Sequence, residues 1–286
     1  MTNTRKLLYA ALLALLAPLA AAQGTFTRID FPAAGTTFAF GINDFGEICG
    51  FYTDSNENNH GFVFSGGKYT SIDYPGSTNT FVVGINDAGD LVGYTADPDI
   101  GFIYTSSTQS FTEIAYPGAQ STFPSAINNS GLVVGSFTLD NGNETGFEFD
   151  GSTYTALAAP GSTQTFVTGV SSNGEVVGFA AAPSGKNPNF AFQNDQYRQL
   201  AIPAASPVVR STNPQGTAFV GQYQPNADLY VGFLYQGGVF QSIRVPQAKS
   251  TVARGINTGG TIVGSFINSS GAPQGFIWTP PGAEHK

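Results

Sequence analysis

Few residues in this chain could do chemistry. It has two histidines in 286 residues. His285 stands at the C-terminal tail, so Ser-His-Asp catalysis would have to run through His60, which sits among Asn56, Asn58 and Asn59. A zinc site needs several nitrogen or sulfur ligands, and those are scarce. Carboxylates are better supplied. Asp97 and Asp99, or Asp140 and Glu144, could act as the paired acids of glycoside hydrolysis. Asp140-Asn-Gly-Asn-Glu144 also offers oxygen ligands about a Gly turn, as calcium loops do, but without the EF-hand spacing. Acidic loop residues are far more often simply solvated. The remaining candidates are basic: Arg210, Arg254, Arg244 and Lys249 lie close together in the repeat scheme developed below. A guanidinium can hold a carboxylate or phosphate in a forked geometry.

Whatever acts must be positioned by a repeat. Gly41-Ile-Asn-Asp-Phe-Gly-Glu-Ile-Cys-Gly recurs with drift from Gly84, Ala126, Gly169, Ser211 and Gly255, and its Asn slot returns every 42–44 residues. A proline follows an aromatic-led run with the same period, at Pro32, Pro75, Pro117, Pro160, Pro203 and Pro246. That period is the length of a four-stranded propeller blade. Each unit contains four strand-like runs, called a to d in order. In the first unit they are Thr37–Asn43, Glu47–Tyr52, Gly61–Phe64 and Tyr69–Tyr74, bounded by Gly, Asn, Asp and Pro. The Asn-Asp pairs between a and b read as turn formers.

The chain begins with a d-like strand, Phe26–Phe31, and ends with a c-like strand, Gly275–Trp278. Joining the two closes the ring and removes two exposed sheet edges. The expectation is an all-β, six-bladed propeller of four-stranded blades, closed by the N-terminal strand in the last blade. Its domain spans residues 23–279, after a segment 1–22 and before a tail 280–286. Strand c carries two six-fold aromatic layers that should pack between blades, one of them including the single Trp, Trp278. Cys49 fills a slot held elsewhere by Val and reads as a buried hydrophobe.

Chain direction puts the short a–b and c–d turns on one face and the long, differing b–c links on the other. Variable loops on a rigid scaffold make the second face the expected functional surface. Strand a should line the central channel. Arg210 and Arg254 occupy equivalent positions there, matched elsewhere by Phe40, Val83, Ser125 and Thr168. They are expected to bind an acidic group at the channel mouth. Arg244 is expected to pair with Asp30 across a blade boundary.

The unit Gly84-Ile-Asn-Asp-Ala-Gly-Asp-Leu-Val-Gly93, with His60-Gly61-Phe62 further along an earlier copy, resembles the HAF-repeat family of bacterial extracellular proteins. The other copies lack the family's His. The resemblance covers the chain after residue 22 and implies secretion and a repeat fold, with no catalytic residues.

Residues 1–22 have the layout of a secretory signal peptide: Arg5 and Lys6, the apolar run Leu7–Leu19, then Ala20-Ala21-Ala22. That run is short for a membrane span, and no comparable stretch follows, so a secreted or periplasmic protein is expected. The formal charge of −8 becomes more negative once Arg5 and Lys6 are removed, which argues against nucleic acid and anionic membranes as partners. The reading is a monomeric, non-catalytic binding module whose partner is a protein or a glycan, with no cofactor beyond the calcium option. A carbohydrate-active hydrolase or lyase, and a structural envelope protein, are the alternatives.

Overall fold

A computed structural model describes residues 24–185 and 187–282. The segment expected to be a signal peptide, and His285, lie outside them. The described chain is all-β and forms six four-stranded antiparallel blades in a ring. β1 (Thr25–Ile29) comes first. Blade 1 follows as β2 (Thr36–Ile42), β3 (Ile48–Thr53), β4 (Asn59–Ser65) and β5 (Lys68–Ile72). Blade 2 is β6 (Thr80–Ile85), β7 (Leu91–Thr95), β8 (Gly101–Thr105) and β9 (Ser110–Ile114). Blade 3 is β10 (Ser121–Ile127), β11 (Val133–Thr138), β12 (Glu144–Phe149) and β13 (Tyr154–Leu157). Blade 4 is β14 (Gln164–Val170), β15 (Val176–Ala181), β16 (Asn189–Gln193) and β17 (Gln196–Leu200). Blade 5 is β18 (Val208–Thr212), β19 (Ala218–Asn226), β20 (Leu229–Gln236) and β21 (Val239–Ile243). Blade 6 is β22 (Ser250–Ile256), β23 (Ile262–Ile267) and β24 (Pro273–Thr279), completed by β1, which pairs antiparallel with β24. The ring therefore closes as the sequence implies, Phe26 opposite Trp278. No helix of the described residues is long and apolar enough to cross a membrane.

The recurring Asn does more than turn the chain. Asn43 Oδ1 accepts from the backbone N–H of Phe45 and Glu47, which closes the turn, while its Nδ2 donates to the Asn86 carbonyl of the next blade at 3.1 Å. Asn128 repeats this onto Ser171 (2.9 Å), and Asn257 donates to Asn43 across the closure (3.2 Å). Asp44 and Asp87 add a second tier: Asp44 N–H donates to Asp87, Asp87 N–H to Asn129, and Thr258 N–H to Asp44. One buried amide thus satisfies turn donors and a neighbouring carbonyl together, tying blade to blade. Ser171 cannot reach across, and Asn213 Nδ2 turns to Gln215 and Thr217 of its own turn. The fourth and fifth junctions use Ser172 N–H to Pro214 O and Gln215 Nε2 to Thr258 instead.

The core lies between blades. Phe62, Phe102, Phe147, Phe190, Phe233 and Phe276 form its fully buried aromatic layer, and Trp278 is buried as well. Cys49 is fully buried, and burial pushes its thiol up to about 12, so it stays a neutral hydrophobe. One expected contact is not made. Asp30 pairs with Arg28 of its own chain end rather than with Arg244, which is exposed and has no ion pair among the described residues. Arg28, two residues before Asp30 on β1, is the nearer partner and takes the carboxylate.

Candidate functional site

The central channel is shaped by a defect that recurs in every blade. Between strands a and b the register slips once per blade, between Ala39/Gly41, Val82/Gly84, Pro124/Ala126, Val167/Gly169, Val209/Ser211 and Ala253/Gly255. The residues left unpaired are Phe40, Val83, Ser125, Thr168, Arg210 and Arg254. A β-bulge bends its strand and re-aims a side chain, and these six all line the channel cavity. The Gly inside strand b makes the bulge possible. A Cβ at Gly50 would collide with the Phe38 carbonyl just before the bulge and meet the Phe62 ring; the same pair of obstacles faces Gly93, Gly135, Gly178, Gly221 and Gly264.

Blades 5 and 6 place arginine on two of the six bulges. Arg254 Nε donates to Ser265 Oγ (3.3 Å), and its Cζ lies 4.3 Å from the centre of the Phe40 ring. Arg210 Nε donates to Gln222 Oε1 (3.2 Å), with Cζ 5.9 Å from the Phe179 ring centre. Neither guanidinium has a carboxylate partner among the described residues, and no terminal Nη of either is bonded to protein there. Burial, then repulsion from Arg210, pushes Arg254 down to about 9; burial lowers Arg210 as well. Both side chains keep part of their surface open to the channel, so both stay cationic at neutral pH.

Aromatic rings occupy the arc that the arginines leave. Phe51 touches Phe40 and Phe81, Phe81 stacks on Tyr94, and Tyr94 meets Phe123 edge-on, with centroids 4.9–5.5 Å apart. Phe166 and Phe179 stack at 4.7 Å in blade 4. The crescent spans blades 1 to 4 and ends at Arg254 on one side and Arg210 on the other. Burial raises the Tyr94 phenol, with Arg254 opposing and Asp99 adding to the shift. The channel cavity is about 370 Å³ and extends from Tyr94, Phe123 and Glu144 to Asp44, Asp87 and Asn129 on the a–b turns. Its volume is within the range of small-molecule pockets, roughly 300–1,000 Å³.

Three of the eight charged residues singled out in the sequence meet here: Arg210, Arg254 and Glu144. Glu144 begins β12, half-buried, and burial raises its carboxyl. Asp97, Asp99, Asp140, Arg244 and Lys249 are exposed and outside the cavity lining. Among the described residues, no group of three or more His, Cys, Asp or Glu is placed to hold a metal ion. His60 has Nδ1 2.8 Å from Asp73 Oδ1 and Nε2 3.5 Å from Asp54 Oδ2, and its ring stacks on Tyr52. Both nitrogens face carboxylates, which leaves neither to activate a hydroxyl. The short-turn face, expected to be purely architectural, rims the cavity through Asp44, Asp87 and Asn129. The aromatic crescent escaped the sequence reading. Its signal was there: the residue two before the bulge position is Phe in blades 1 to 4 (Phe38, Phe81, Phe123, Phe166) and Val in blades 5 and 6 (Val208, Val252).

Neither a protein-family model nor a curated protein matches the chain. Solved structures do. AofleA from Arthrobotrys oligospora superposes with a TM-score of 0.58 at 10% identity, over 93% of this chain and 89% of that one. The Aleuria aurantia lectin AAL, as an N224Q mutant in complex with Fucalpha1-6GlcNAc, gives 0.53 at 13% identity over 87% and 97%. TolB from Acinetobacter baumannii gives 0.59 at 13% identity over 85% of this chain and 65% of that one. At such identities the likeness is one of fold.

Proposed function

We propose that this protein is a secreted, non-catalytic binding module that captures an acidic group in the central channel of its propeller. One observation carries the reading: two arginines on adjacent bulges face the cavity, and neither is ion-paired to a carboxylate among the described residues. An unpaired cation removed from bulk water lowers stability, and an anionic ligand relieves that cost. The lectin complex among the similar folds makes binding a natural use of such a scaffold, and the signal-peptide layout of residues 1–22 and the HAF-repeat resemblance fit an extracellular or periplasmic setting. The long b–c loops around the channel are the surface on which a larger partner, protein or glycan, would rest while its acidic group enters.

The test is a thermal-shift titration with acetate, citrate, sulfate and phosphate. Binding to the native state raises the unfolding midpoint as ligand exceeds its dissociation constant. Stabilisation of the wild type that disappears in the Arg210→Ala/Arg254→Ala variant supports the reading; an equal response in the two proteins refutes it.

A further inference from the structure

We infer that the ligand of the channel is a carboxylate carried on an apolar ring, an arylalkanoic acid in chemical class, and not a sugar acid. This rests on the anion-binding reading above and goes beyond it. The arginines say only that charge is wanted. The rest of the wall says what the charge is attached to.

Two features decide. Phe40, Tyr94, Phe123, Phe166 and Phe179 line the cavity, with Phe40 and Phe179 beside the arginines. A flat apolar ring gains from edge and face contacts with such a wall. A sugar can also lie on an aromatic face, but each hydroxyl it brings inside must find a partner, since a buried unpaired hydroxyl costs more than the contact returns. The channel has few partners to spare. Ser125 Oγ donates to the Val167 carbonyl at 2.7 Å and Thr168 Oγ1 to the Val209 carbonyl at 3.1 Å, each bracing the neighbouring blade. Ser136 Oγ accepts from Val167 N–H, and Ser265 and Gln222 hold the two arginines. At the turn end, the carboxylates of Asp44 and Asp87 accept from the neighbouring blades. Most of the polar groups are consumed in building the ring; beside Glu144 and the Tyr94 hydroxyl, two guanidinium forks and an aromatic wall remain. A monocarboxylate on a phenyl ring matches both.

The experiment is isothermal titration of the full chain with phenylacetate, acetate, glucuronate and benzyl alcohol. Phenylacetate should bind about tenfold or more tighter than acetate and than glucuronate, and benzyl alcohol should bind weakly. Phe123→Leu should weaken phenylacetate and leave acetate unchanged. Arg254→Met should abolish the response to every anion. Circular dichroism and the unfolding midpoint of each variant show whether it is folded. If glucuronate or acetate binds as tightly as phenylacetate, the ring requirement is wrong and the anion site stands. If none of the anions binds the folded wild type, both fall together.

Discussion

Arg254→Met should make the protein more stable and less able to bind. The guanidinium is held at about 9 by burial and by Arg210. A fall of that size from the ordinary arginine range corresponds to about 4–5 kcal/mol at 1.36 kcal/mol per unit. That is an upper bound, because part of the side chain meets channel water, and about 1–3 kcal/mol remains after discounting for it. Methionine is long enough to keep the contact with Phe40, and only the 3.3 Å bond to Ser265 is lost. For a chain of this size the gain is a rise of roughly 2–10 °C in the unfolding midpoint, read by scanning calorimetry in a buffer without organic anions. The pH dependence gives a second readout. The folded arginine releases its proton near 9, while the unfolded one keeps it to a much higher pH. Between those limits the unfolded state binds more protons, so wild-type stability rises with pH there. The gap between variant and wild type should therefore be widest below pH 9 and narrow above it. A variant that unfolds below the wild type would mean that Arg254 braces the ring, and the inference from its unpaired charge would fail.

Glu144→Gln probes the opposite wall. Burial raises the folded carboxyl, so the stability it contributes is present at acid pH and lost as pH rises through that raised value. The variant should unfold later than wild type at pH 7 and at the same temperature near pH 4. Above about pH 5.5, where phenylacetate stays ionised, the wild type's affinity should rise as pH falls, and the variant's should stay flat. Gly178→Ala tests the bulge. Its Cβ would collide with the Phe166 carbonyl and meet the Phe190 ring at 3.0 Å, so chemical denaturation should show a loss of about 2–4 kcal/mol.

The ring was legible because the signals that set it are local and repeated. The Asn-x-x-Gly turns, the Gly of strand b and the aromatic pair of strand c recur at a period that admits one blade type, and β1 beside β24 follows from the mismatch of the ends. Inter-blade relations were harder to read. Nothing within one unit says that Asn43 Nδ2 reaches the Asn86 carbonyl, because that bond depends on how two units lean together. The Arg244–Asp30 pairing failed for a related reason. Ring adjacency brought two charges onto one level, but Arg28, two residues from Asp30, takes the carboxylate. Glu144 was assigned to a loop with Asp140, yet it begins β12 and faces inward while Asp140 stays in solvent.

The channel adds a second place for chemistry beside the long-loop face. Loop variability pointed to the long-loop face, yet the residues that set the channel's chemistry lie inside the repeat, at its one irregular step. In strand b a glycine admits a carbonyl of strand a, and two residues past that carbonyl the bulge leaves one residue unpaired and facing the lumen. Six copies therefore present six interchangeable lumen positions on a frame that their identity barely affects. Phe40, Val83, Ser125, Thr168, Arg210 and Arg254 differ in size, polarity and charge while the strands around them keep one geometry. A frame that tolerates such variety lets lumen chemistry change without refolding. The bulge positions of blades 5 and 6 carry two like charges side by side, an arrangement that disfavours the empty protein and favours one with an acid between them.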